Sequence, residues 1–161
     1  MLNNSSVIRS LLIPTRCGKL LLPSTVIAEV TGYTSPQPLE TGQPKWLLGL
    51  IDWRNQRVPL LAIEEALSLP LLSSQMEEGP RIIVLYGLEA TPVLPFYAIV
   101  ATHIPRKFGV TEGSLLNPTE QRKPGVVFKV EISKDEVALL PDLVHLETLV
   151  RKLLPSLSKP H

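Results

Sequence analysis

The side chains suited to chemistry are few and scattered. His103, His145 and His161 are the only histidines, and Cys17 is the only cysteine. No histidine stands at ligand spacing from another histidine or from the cysteine, whereas a metal centre needs three or four converging ligands. Arg16 and Lys19 stand beside Cys17, but a nucleophilic thiol also needs a base to activate it, and the residue reads as a turn cysteine. The pairs Glu64-Glu65 and Glu77-Glu78 are neighbours in sequence. Acid–base catalysis needs carboxylates that converge across a cleft, so these pairs read as solvated faces. The G-x-S-x-G elbow, the phosphate-binding loop and the dinucleotide fingerprint are all missing. The reading is of a protein that is not an enzyme and has no metal or cofactor.

One stretch has a different character. "GLIDWRNQRVP", Gly49 to Pro59, interrupts an apolar run with Asp52, Trp53, Arg54 and Asn55, and then returns to apolar residues. Asn55 tolerates the left-handed conformation better than most non-glycine residues, which suits "RNQ" to a turn between two strands. A strand–turn–strand projects its tip rigidly. Trp and Arg are the residue types most enriched at interface hot spots, one by buried area and the other by its forked donors. A plain strand end, with the aromatic packed inside and the Arg in water, is the competing reading.

The elements that must position this tip are short strands. Val7 to Ile13 and Lys19 to Leu22 flank a "TRCG" turn. Pro23-Ser24 opens one helical turn, and Val26 to Thr31 is β-like. "YTSPQPLETGQPK", Tyr33 to Lys45, is dense in turn residues and reads as a long surface loop. Trp46 to Trp53 and Arg57 to Ala62 are the strands around the tip. "IEEALSL" is a short helix and "LLSSQMEEGP" a loop. Arg81 to Tyr86 and Pro95 to Thr102 form a hairpin across Gly87 to Pro92. "VTEGSLLNPTEQRKPG" is a loop. Val126, Phe128, Val130 and Ile132 alternate with polar Lys129 and Glu131. "SKDE" turns the chain into Val137 to Leu140. Leu143, Leu146, Leu149, Val150 and Leu153 then recur at helical spacing, with Glu147 and Arg151 four apart and Pro155 as the stop.

Sixteen prolines and nine glycines in 161 residues disfavour long helices and suit an all-β domain. Many short strands and one closing helix favour small barrels, whose closure removes exposed strand edges. A net charge of +1 provides no global field for nucleic acid or an anionic membrane. The single cysteine suits a reducing cytoplasm. The apolar stretch Leu11 to Ile13 is too short for a signal peptide, and no 18-residue apolar run exists to span a membrane.

"IAEVTGY", a Pro-rich loop and "WLLGLIDWRNQRVPLL" together resemble the CheW-like coupling proteins of bacterial chemotaxis. Glu29-Val30, Gly49, Arg54 and Pro59 fall where that family has its Glu-Val pair, turn glycine, turn arginine and following proline. "FYAIVATHI" and "LLPDLVHL" match two later segments, with Asp142 in register, so the order holds over roughly residues 7 to 150. Five positions depart from the pattern. Asp52 replaces the usual Asn, Asn55 the usual Gly, and Ala62 and Thr102 replace acidic residues. Trp53 occupies a position that is usually aliphatic. The worn motifs and Pro-rich loops resemble the branch serving type IV pili and twitching motility.

The resemblance implies an all-β fold of two small five-stranded SH3-like barrels with a C-terminal helix. Residues 1–161 would form one CheW-like domain of two interlocked barrel subdomains, with the chain crossing between them. It implies a cytoplasmic, non-catalytic adaptor, recruited to membrane-bound receptor arrays. The adaptor would bridge methyl-accepting chemoreceptors, the regulatory domain of a CheA-like histidine kinase and other CheW-like proteins. No nucleic acid and no membrane insertion are expected. The implied partner-binding residues are Glu29, Val30, Asp52, Trp53, Arg54 and Asn55. A small-barrel nucleic-acid binder and an unrecognised enzyme are the alternatives. The first needs a contiguous basic groove, and the second a polar cleft with perturbed titrating groups.

Overall fold

A computed structural model describes residues 7–39, 42–71, 79–87, 95–111, 126–133 and 136–152. The chain forms β1 (Ile8–Thr15), β2 (Gly18–Pro23), a 3-10 turn (Ser24–Val26), β3 (Ile27–Gly32), β4 (Leu47–Trp53), β5 (Gln56–Leu61) and α1 (Ile63–Ala66). It continues through β6 (Arg81–Tyr86), β7 (Phe96–Ala101), β8 (Arg106–Val110), β9 (Val126–Ser133), β10 (Glu136–Pro141) and α2 (Leu143–Arg151). The strands make two five-stranded sheets, in the orders β8-β1-β2-β10-β9 and β3-β6-β7-β5-β4. Along these orders both sheets run antiparallel, antiparallel, parallel, antiparallel. The chain starts in the first sheet, builds the whole of the second, and returns.

Side-chain alternation places three cores. Leu12, Leu21, Val110, Val130 and Ala138 fill the first sheet's concave side. Ile51, Trp53, Val58, Leu60, Ile82, Val84 and Ala98 fill the second's. The largest core lies between the sheets and takes the alternate residues of the same strands, including Ile13, Leu20, Leu22, Leu61, Ile83, Leu85, Tyr97 and Ile99. Strands β1, β2, β6 and β7 are therefore buried on both faces. That is why "LLL", "IIVL" and "YAIV" read as apolar runs and not as alternation.

The two helices cover the shared core. Ile63, Ala66 and Leu67 enter it from α1, and Leu146 and Val150 from α2. Asp142 starts α2 by accepting from the amides of Val144 (3.0 Å) and His145 (3.2 Å). Ala62 precedes α1 with no side-chain cap, and that helix makes one turn. Leu153 and Pro155 lie outside the described residues.

Two expectations change. Among the described residues no pairing joins β8 to β9 or β3 to β4, so the SH3-like sheets are not closed barrels, and hydrogen bonding does not remove their edges. The strand β8 lies in a segment that carried no strand signal. It holds two exposed cations, a glycine and only two apolar residues, yet it pairs along β1 from Ile8↔Val110 to Leu12↔Arg106. Glu147 of α2, four residues before Arg151, is buried at 4% exposure. The Pro-rich segment after β3 is a surface loop, as expected, and it is stitched down. Gln37 exchanges backbone hydrogen bonds with Leu50 (2.8 and 2.9 Å), and the Gln43 side chain accepts from the amide of Leu39 and donates to the carbonyl of Leu47 (2.8 Å each). Gly49 permits this closeness. At φ +143° its missing Cβ would stand 2.5 Å from the Gln37 carbonyl oxygen.

Candidate functional site

Strands β4 and β5 join through a two-residue turn, with Trp53 paired to Gln56. Arg54 (φ 47°) and Asn55 (φ 64°) are both left-handed. This is the conformation whose twist matches that of an antiparallel hairpin, and Asn is among the residues that best accept it. The turn is tighter than "RNQ", because Gln56 already belongs to β5.

Alternation along β4 sends Asp52 outward and Trp53 inward. Trp53 is 7% exposed, and its ring meets Phe96 of β7 edge-on, with centroids 4.7 Å apart. Tyr86 of β6 lies tilted against Phe96, with centroids 5.7 Å apart. The Trp53 Nε1–H donates to Glu29 Oε1 at 3.1 Å. Arg54 Nη2 donates to the same oxygen at 2.9 Å, and the Arg54 guanidinium lies over the Trp53 ring, 4.6 Å from its centroid. Glu29 belongs to β3, the opposite edge strand, so this contact bridges the seam that backbone pairing leaves open. The structure thus brings Glu29, Trp53 and Arg54 together around one carboxylate oxygen. The Arg54 side chain remains 64% exposed and that of Glu29 37%.

The other expected residues lie around this trio. Val30, next along β3, is exposed. Asn55 is exposed at the tip. Asp52 faces the other way, with Arg57 Nε 3.7 Å from its carboxylate, and Arg57 Nη2 donates to Gln37 Oε1 at 2.7 Å. Each arginine of the hairpin therefore has an acid beside it. Sequence reasoning did not place Phe96, Tyr86, Arg57 or Gln37 at the tip, since they come from β7, β6, β5 and the stitched segment. One signal for Glu29 was legible: a buried indole requires an acceptor.

The remaining reactive groups lie elsewhere. Cys17 is buried, and burial pushes its thiol pKa up, a hydrogen bond with Thr15 opposes this, and the nearby Glu64 charge adds to the rise. Such a thiol is a poor nucleophile. Glu64 stands 4.0 Å from Arg16 and so is not simply solvated. His145 places Nε2 3.1 Å from the Ala66 carbonyl and ties α2 to α1. His161 and the pair Glu77-Glu78 lie outside the described residues. Among the described residues no three His, Cys, Asp or Glu side chains are grouped to hold a metal, and no helix is long and apolar enough to cross a membrane.

Residues 11–149 match the profile of the CheW-like domain. Among solved structures the chain is similar to the scaffolding protein TtCheW from Thermoanaerobacter tengcongensis, with a TM-score of 0.71 at 13% identity over 89% of each chain. No curated protein sequence matches significantly.

Proposed function

The chain belongs to the CheW-like domain family, and on that premise we propose that it is a non-catalytic adaptor coupling methyl-accepting chemoreceptors to a CheA-like histidine kinase. The observation that carries this reading is Arg54. Its guanidinium is largely exposed, yet it is held on a tight turn by Glu29 and Trp53. An exposed forked donor with a fixed base is what a docking contact requires, because little side-chain freedom is left to lose on binding. Asn55 stands beside it on the turn, exposed Val30 follows Glu29 on β3, Asp52 lies on the hairpin's other face, and Trp53 supports it from below.

The packed core between the sheets supports a rigid body, in which partners bound at separate faces keep a set relative geometry. Output then depends on differential contact with the kinase's active and inactive arrangements, since equal affinity for both shifts nothing. Individual contacts can be weak where linked sites in an array raise the effective concentration. The acids beside Arg54 and Arg57 work against a nucleic-acid surface, whose affinity comes from unneutralised cations.

Reconstitution tests the proposal. With receptor-containing membranes and the kinase, adding this protein should carry the kinase into the membrane pellet and make its autophosphorylation respond to receptor ligand. Kinase left in the supernatant at saturating adaptor would contradict it. We assign the pathway to type IV pili on the departures at Asp52, Asn55, Ala62 and Thr102 and on the Pro-rich segments. Deleting the gene should then abolish twitching and spare swimming.

A further inference from the structure

We propose that Trp53 is the positioning residue of this site: its indole fixes Glu29 and Arg54 relative to each other, and with them the direction in which the guanidinium is offered to a partner. This rests on the reading of Arg54 as a docking contact. Three contacts close a triangle. The indole N–H reaches Glu29 Oε1 at 3.1 Å, the same oxygen accepts from Arg54 at 2.9 Å, and the guanidinium carbon stands 4.6 Å above the ring. The ring cannot drift, because it is buried and packed edge-on against Phe96.

Without the indole, the Glu29–Arg54 pair would be two flexible side chains meeting across an unpaired seam, and such exposed pairs hold poorly. An aliphatic residue at position 53 would fill the same core but offer neither an N–H for the carboxylate nor a π face for the cation. Trp53 makes no contact with the partner itself. It acts by removing alternative orientations of the two groups that do, so binding begins from a prearranged site.

The test uses the full chain, with the regulatory domain of a CheA-like kinase as probe, titrated against wild type, Trp53→Phe, Trp53→Leu, Glu29→Gln and the Trp53→Phe/Glu29→Gln double variant. Trp53→Phe keeps an aromatic ring against Phe96, and so separates positioning from packing if Trp53→Leu fails to fold. Its melting temperature should stay within a few degrees of wild type, while binding weakens about three- to tenfold, as loss of one oriented hydrogen bond implies. The double variant should bind no more weakly than the worse single variant, because both substitutions break one triangle. With Trp53 retained, the indole 1H–15N resonance should move between wild type and Glu29→Gln.

Wild-type binding by Trp53→Phe, additive losses in the double variant, or an indole resonance indifferent to Glu29→Gln would each overturn the proposal. If Arg54→Ala also weakens binding in those cases, the docking reading survives without it. If Arg54→Ala binds as wild type does, both fall.

Discussion

Arg54 and Tyr97 show two fates of a polar side chain in this fold. Arg54 reaches the surface and finds both a carboxylate and a ring. Tyr97 points into the core between the sheets, where among the described residues its hydroxyl meets no hydrogen-bond partner. Burial pushes the phenol pKa well above its ordinary 10.0, and the charge of Glu147 pushes it further. An unsatisfied buried hydroxyl costs about 1–3 kcal/mol, so Tyr97→Phe should leave the fold as stable or stabilise it by up to about 1 kcal/mol near neutral pH. The sign of the pH effect follows. Above about pH 10 the unfolded phenol ionises while the folded one keeps its proton, so the native state binds more protons and stability falls as pH rises. Urea unfolding at about pH 8 and about pH 10.5 should show this loss in wild type, and a smaller loss in Tyr97→Phe. An equal loss in both would place the alkaline sensitivity elsewhere.

At the scale of elements, the hairpin and the last helix depend on single residues. Asn55→Gly should be tolerated, with a melting temperature within about 3 °C of wild type, because glycine suits the left-handed second position of this turn. Gly49→Ala should not be tolerated. Its Cβ would collide with the Gln37 carbonyl, and the expected cost is at least about 2 kcal/mol, read as a fall in the urea midpoint. Asp142→Ala should cost about 1 kcal/mol by uncapping α2. These elements were legible to different degrees. The β4–β5 hairpin was readable because its polar tip interrupts two apolar runs, and α2 because Leu143, Leu146 and Val150 repeat at helical spacing. Strand β8 was not readable, since pairing with β1 and not its own composition makes it a strand. The burial of Glu147 was not readable either, because helical period says which residues share a face, and not how far the neighbouring elements wrap around it.

At the scale of the whole molecule, the two-sheet architecture and the crossing chain were expected only through resemblance, because doubly buried strands hide the period that would assign their faces. The seam was not visible in sequence at all. Glu29 and Trp53 are 24 positions apart, and only folding shows that they face each other across unpaired edges. In the first sheet Glu136 of β10, an interior strand, pairs with Arg106 of the edge strand β8 at 2.9 Å and with Lys19 of the neighbouring β2. Backbone pairing builds the two sheets, a common core locks them together, and the contacts of Glu29 with Trp53 and Arg54 span the open edges of the second sheet, where the proposed docking site lies. The measurement that tests this most directly is the equilibrium affinity of the kinase regulatory domain for wild type and for Arg54→Ala, with melting temperatures taken in the same buffer. The account predicts binding at least about tenfold weaker in the variant, with a melting temperature nearly unchanged because an exposed ion pair contributes about 0–1 kcal/mol to folding. Unchanged affinity, or an Arg54→Ala protein that no longer folds, would contradict it.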